Sequence, residues 1–264
     1  MQTWHLRLTA DGRRPLFPDE AAIRRAVQTL ARVAGPDLLL FSIVDDRVDI
    51  GLCCVADRTP VLARSLLLAL RPLADATPSP TRPQRIEGRS HLLWLLRHCI
   101  QQAPRSSTGH PALWSGSCFL DLVGARVIEG YAPPLPQLLP RLRQRSIFEH
   151  AGLPALPLTP LSDDALRRVG HGALVDAATA ALAAPPALQG RTPLVVTCRR
   201  AIAQLGTRAG LRTGQIADLL GVVPRAAHRL SRAPQARHIR DAILRRLALE
   251  ERVRQLALGA TGAG

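Results

Sequence analysis

The chain has no lysine and no asparagine, a single tyrosine, a single methionine and only 3% aromatic residues among its 264 positions. With alanine, arginine, glycine and proline abundant, these gaps match the codon bias of a GC-rich genome. That bias explains why all 35 cations are arginine, but not why they outnumber 20 acids to give a net charge of +15. The five cysteines are odd in number and form no CxxC pair, which excludes a disulfide scaffold and a structural zinc site and fits a reducing compartment. No apolar run reaches the roughly 18 residues of a membrane span. Met1-Gln2-Thr3-Trp4 opens no signal peptide. The expected location is therefore a bacterial cytoplasm, associated with the nucleoid, with no membrane partner.

What is present is enough to fold. A hydrophobic content of 47% excludes wholesale disorder, and the length suits one large domain or two small ones. A charge surplus this large favours a polyanionic partner, nucleic acid first.

The first third alternates strand and helix signals. Trp4-His5-Leu6-Arg7-Leu8 alternates as a strand, Asp11-Gly12 is turn chemistry, and Pro18-Asp19-Glu20 opens a helix with Ile23, Val27, Leu30 and Val33 on one face. Leu38 to Val44 and Val48 to Val55 read as paired strands about Asp45-Asp46-Arg47. Helices follow over Pro60–Leu73 and His91–Gln102, separated by a proline-rich loop over Thr77–Pro83. Tyr131 to Pro140 is a proline-rich connector unsuited to a regular helix interior, and beyond it the chain is largely helical. The expected organisation is an α+β domain over 1–130, a linker with connecting helices over 131–190, an all-α domain over 191–258 and a frayed tail over 259–264.

The segment Thr213 to Arg232 reads as a helix-turn-helix. Ala217 is small where two helices would cross, and Gly221 tolerates a positive φ at the turn. Ile216, Leu220, Val222, Ala227 and Leu230 supply the core, and Pro224 stands in the first turn of the second helix. Outward positions on that helix are Arg225, His228, Arg229 and Arg232. Arginine can bond guanine bidentately, so these are candidate DNA-reading residues. Thr213, Gln215 and Arg212 at the start of the preceding helix are further DNA-binding candidates, and Arg199, Arg200 and Arg208 on the helix before it are candidates for phosphate contacts. The region resembles DnaA-type and Trp-repressor-type helix-turn-helix domains, in which a long helix precedes the motif.

Over roughly the first 125 residues the chain resembles the single-tyrosine HUH transposases, in particular the REP-associated branch. Trp4-His5-Leu6 followed by Gly12-Arg13-Arg14-Pro15-Leu16-Phe17 is similar to the family's opening strand and turn. Leu92 to Pro104 is similar to its tyrosine helix, and His110-Pro111-Ala112-Leu113-Trp114-Ser115-Gly116-Ser117 to its Pro-x-x-x-Trp-Ser-Ser stretch. The resemblance implies a ferredoxin-like antiparallel sheet with helices on one face, and cleavage of single-stranded hairpin DNA by attack of a tyrosine on a phosphate.

That chemistry needs two histidines at i and i+2 on one strand face to hold a divalent cation, and a helix-borne tyrosine in line with the phosphate. Here the histidine positions are Arg47 and Asp49. The tyrosine position is Cys99, or His98 if the helix shifts by one, and Ala103 replaces the asparagine that precedes the family's proline. Arginine cannot ligate a cation. The sole tyrosine, Tyr131, lies in the connector. Two rescues are conceivable: Asp45, Asp46 and Asp49 as a carboxylate site for Mg²⁺, or Cys99 with His98 as a thiol nucleophile. The expectation is instead no catalytic residue, metal site or cofactor. The chain then reads as a sequence-specific DNA-binding protein descended from an inactivated transposase, acting as a regulator or a DNA-targeting subunit. Its expected partners are duplex DNA through the helix-turn-helix, hairpin or single-stranded DNA through the first domain, a second copy of the chain, and proteins of a mobile-element or regulatory complex. The alternatives are an active hairpin endonuclease with a remodelled site and a protein-interaction scaffold.

Overall fold

A computed structural model describes residues 1–10, 15–103 and 109–261, with side chains as far as residue 258. The expected turn at Asp11-Gly12-Arg13-Arg14 and the helix-closing Pro104 lie outside the described residues. The chain is α+β and divides into two compact units, 1–123 with 128–157, and 124–127 with 158–264. The expected linker over 131–190 is therefore shared between them and is not a separate region.

In the first unit the elements run β1 (Gln2–Ala10), α1 (Glu20–Ala34), β2 (Leu38–Val44), β3 (Arg47–Cys54), α2 (Arg58–Leu70), β4 (Pro78–Pro80), β5 (Gln84–Arg85), α3 (Gly88–Gln101), α4 (Phe119–Leu122), α5 (Leu135–Leu138) and α6 (Gln144–His150). Asp19 caps α1, its carboxylate accepting from the Ala22 N–H at 2.6 Å. The sheet is antiparallel with order β2-β3-β1-β4, and β5 also pairs with β1. Part of the expected loop over Thr77–Pro83 thus forms β4, tolerated there because an edge strand need not donate every N–H.

Alternation sorts this sheet into two faces. Leu6, Leu8, Val48, Ile50 and Leu52 are fully buried on one of them. Helix α2 lies on that face, where its Thr59 Oγ1 sits 3.4 Å from Cys54 Sγ, and α1 packs beside α2. The other face carries His5, Arg7, Arg47, Asp49 and Gly51. Helix α3 covers it, and a Cβ on Gly51 would lie 3.4 Å from Leu95 Cδ2. Helices therefore pack on both faces, which corrects the one-sided arrangement expected. Beyond α3, the stretch Trp114–Cys118 runs along β2: the Ile43 N–H donates to Gly116 O at 2.9 Å and the Cys118 N–H to Phe41 O at 3.1 Å. Gly116 is required there, since a Cβ would stand 2.5 Å from the Ile43 carbonyl oxygen. The proline-rich connector contains α5 after all. One turn suffices there, with Pro136 near its start where a missing N–H costs nothing.

The second unit is helical: α7 (Asp163–Leu166), α8 (His171–Ala181), α9 (Pro193–Arg208), α10 (Thr213–Leu220), α11 (Pro224–Arg232) and α12 (Arg237–Thr261). Its core gathers Leu174, Ala177, Ala178, Cys198, Ile202, Leu205, Ile216, Ala217, Leu220, Ala227, Ile243 and Leu247. Helix α12 continues through Thr261, into the tail expected to fray from Gly259.

Candidate functional site

In the first unit, chemistry concentrates on Asp49. The β1–β3 register sets Asp49 opposite Arg7, and strand alternation puts His5 and Arg7 on one face with Arg47 and Asp49. Asp49 Oδ1 accepts from His5 Nε2 and from Arg7 Nε, both at 2.8 Å. Oδ2 accepts from His98 Nε2 at 3.3 Å. Arg47 Nε lies 3.4 Å from Oδ2 as an ion pair without hydrogen-bond alignment. Gln102 Nε2 approaches the same ring, 3.0 Å from His98 Nδ1 and 2.5 Å from its Nε2. Burial alone would raise the Asp49 pKa, but the bonds from His5, His98 and Arg7 outweigh it and hold the carboxyl well below the usual carboxylate range.

Each carboxylate oxygen thus faces two nitrogens, an arrangement that stabilises the anion and turns cations toward it. A divalent ion at Asp49 would have to displace these donors and would meet two guanidinium groups. Asp46 pairs with Arg47 at 3.0 Å, and among the described residues no cluster of three metal-ligating side chains forms. The carboxylate site for Mg²⁺ considered from the sequence does not assemble around Asp49.

Of the adjacent residues His98 and Cys99, His98 is the one beside Asp49. Cys99, about 100° around the helix from His98, is fully buried, and burial, with Cys118 and Asp49 nearby, pushes its thiol well up. It is core, and its carbonyl accepts from Ser117 Oγ at 3.3 Å. His98 stacks on Trp94, ring centroids 5.0 Å apart and 13° from parallel. His5, Arg7, Trp94 and Gln102 were missed as site residues in the sequence reading. The signal for the first two was present, because in Trp4-His5-Leu6-Arg7-Leu8 the polar pair occupies the strand face opposite Leu6 and Leu8.

In the second unit, α10 ends at Gly221, which adopts the left-handed conformation at φ 61° and ψ 40°. The Val222 N–H returns to Ala217 O at 3.0 Å, and α11 begins at Pro224. Ile216, Ala217, Leu220 and Ala227 are buried, and Val222 and Leu230 pack against them. Arg225, His228, Arg229 and Arg232 are exposed, and no acid among the described residues pairs with them. Arg212 and Thr213 are exposed at the start of α10, where the Arg212 N–H donates to Gln215 Oε1 at 2.9 Å. Gln215 therefore serves the helix end. The three arginines of α9 differ from expectation. Arg199 donates to Gly190 O at 3.1 Å and Arg200 to Pro234 O at 3.0 Å, while Arg208 pairs with Asp163. Each ties the unit together through one of its guanidinium nitrogens.

Among the described residues no helix is long and apolar enough to cross a membrane. No protein-family model, no curated protein and no solved structure matches the chain.

Proposed function

We propose that this chain is a sequence-specific DNA-binding protein whose first unit descends from a single-tyrosine transposase and no longer cleaves. The carrying observation is the α10–Gly221–α11 arrangement. It supports a helix-turn-helix reading in which α11 enters the major groove, with Arg225, His228, Arg229 and Arg232 exposed and uncompensated. The β-α-β-β-α-β order and the β2-β3-β1-β4 sheet agree with a ferredoxin-like first unit. At the position of the lost histidine pair, Arg47 and Asp49 face each other and His98 occupies the nucleophile's place, with both its nitrogens engaged. This composition favours a DNA-targeting or regulatory role over strand cleavage.

Selection of bound duplexes from a random pool, followed by titration at several salt concentrations, tests the proposal. Binding should weaken steeply with salt. Arg229→Ala should narrow the gap between selected and unrelated duplexes by about tenfold. Equal loss on every duplex would remove base reading from Arg229. Nicking of a hairpin that needs a divalent metal and disappears in Asp49→Ala would restore the endonuclease reading, and salt-independent or absent binding would favour a scaffold.

A further inference from the structure

The first unit has a cleft of about 380 Å³ between the start of α3 and the end of α5, and it shares no lining residue with the Asp49 cluster. Its size falls within the roughly 300–1,000 Å³ of small-molecule sites. Ile86, Leu92 and Leu139 line it and are themselves buried, so its floor is apolar and packed. Leu138, 39% exposed, leaves an apolar lip open to water. The charged groups of the lining are Arg89 on α3 and Arg141 just beyond α5. Both are exposed, and no acid among the described residues pairs with them. Thr3, which also lines the cleft, is engaged with Cys53, its partner across the β1–β3 pairing.

Two guanidinium groups without a counter-charge at the rim of an apolar floor match a small amphiphile with an anionic head. We infer that this cleft binds a small monocarboxylic acid with an aliphatic or aromatic tail. The tail covers Ile86, Leu92 and Leu139, and the carboxylate stays at the rim, where its two oxygens accept from Arg89 and Arg141. A singly charged carboxylate costs less to bring against this floor than a phosphate monoester carrying nearly two charges. The inference is independent of duplex reading by α11 and stands on the first unit's own residues.

The test is isothermal titration calorimetry of the full chain with octanoate at physiological salt. Octanoate should bind at one site per chain, and heptanoate about threefold more weakly for its missing methylene. Octanol keeps the tail without the charge and should bind about tenfold more weakly or worse. Arg89→Ala and Arg141→Ala should each weaken octanoate about tenfold. Both positions are exposed, so the thermal midpoint should stay near that of the parent chain. Arg232→Ala removes an exposed arginine of the other unit and should change nothing. An equal loss there, or many acids bound per chain, would show that octanoate only follows the net charge and would overturn the site. Acetate or octanol as tight as octanoate, or unchanged affinity when Arg89→Ala and Arg141→Ala are combined, would overturn it too. Octyl phosphate about tenfold tighter would overturn the carboxylate head, and a peptide with a free apolar C-terminus tighter than octanoate would replace the small acid by a protein end. Duplex binding by the parent chain, found or absent, bears on α11 alone.

Discussion

Around Asp49 the arginines face a buried carboxylate, whereas Arg225, Arg229 and Arg232 on α11 face no acid among the described residues. Both regions are basic, yet they differ in where their charge is balanced. The first is balanced inside the protein, so removing a charge there should register as lost stability. The second must be balanced from outside, so removing a charge there should register as lost binding. A net charge of +15 says nothing about this division. On α9 only Arg208 belongs to the first class, through Asp163, because Arg199 and Arg200 bond backbone carbonyls that hold their position without balancing their charge.

The sharpest break of this comparison is Asp49→Ala. It leaves two arginines without their buried counter-charge and should cost about 3 kcal/mol of unfolding free energy, read from urea denaturation. A cost below about 1 kcal/mol would show that solvent already balances Arg7 and Arg47. Acid should act through the same group. Unfolded, the Asp49 carboxyl titrates near 3.8, and folded it is held well below that. Its contribution is complete above the unfolded value and is lost as pH falls beneath it, because the unfolded chain then binds the proton first. A stability profile measured from pH 6 down to about 2 should therefore slope less in Asp49→Asn than in the parent chain.

On α11 the order of effects reverses. Arg225→Ala with Arg229→Ala should leave the thermal midpoint within the usual scatter of surface substitutions, about 0.5 kcal/mol, while duplex affinity falls at least tenfold. The smallest effect is expected for Arg208→Ala. Its partly exposed pair with Asp163 should contribute under about 1 kcal/mol, with duplex affinity unchanged. A large loss of affinity there would move α9 into the binding surface.

Much of the fold was legible because periodicity and turn chemistry are local. The alternation in Trp4–Leu8, the Asp19 cap, the strand pair about Asp45-Asp46 and the left-handed Gly221 can each be read within a few residues. The Asp49 site was legible only in part, because it depends on register. Nothing in the sequence sets Arg7 opposite Asp49, and a one-residue rotation of α3 decides whether Cys99 or His98 faces the sheet. The apolar run Leu95-Leu96 with Cys99 and Ile100 sends the thiol inward and leaves the imidazole at the carboxylate. Packing of α3 thus selects which of the two adjacent residues reaches the carboxylate. The engaged state of Arg200 and Arg208 was likewise hidden, since Pro234 and Asp163 lie 34 and 45 residues from them along the chain.

The stretch Trp114–Cys118 has a consequence for how two copies could meet. It takes up the Ile43 N–H and the Phe41 carbonyl along the outer side of β2, and the opposite margin of the sheet is β4, whose Pro78 and Pro80 have no N–H to offer. A strand from a neighbouring molecule would find few free partners at either margin. Self-association, where it occurs, should therefore proceed through helices or side chains and should not lengthen the sheet, so crowding at high concentration should not seed strand-by-strand growth from the native fold.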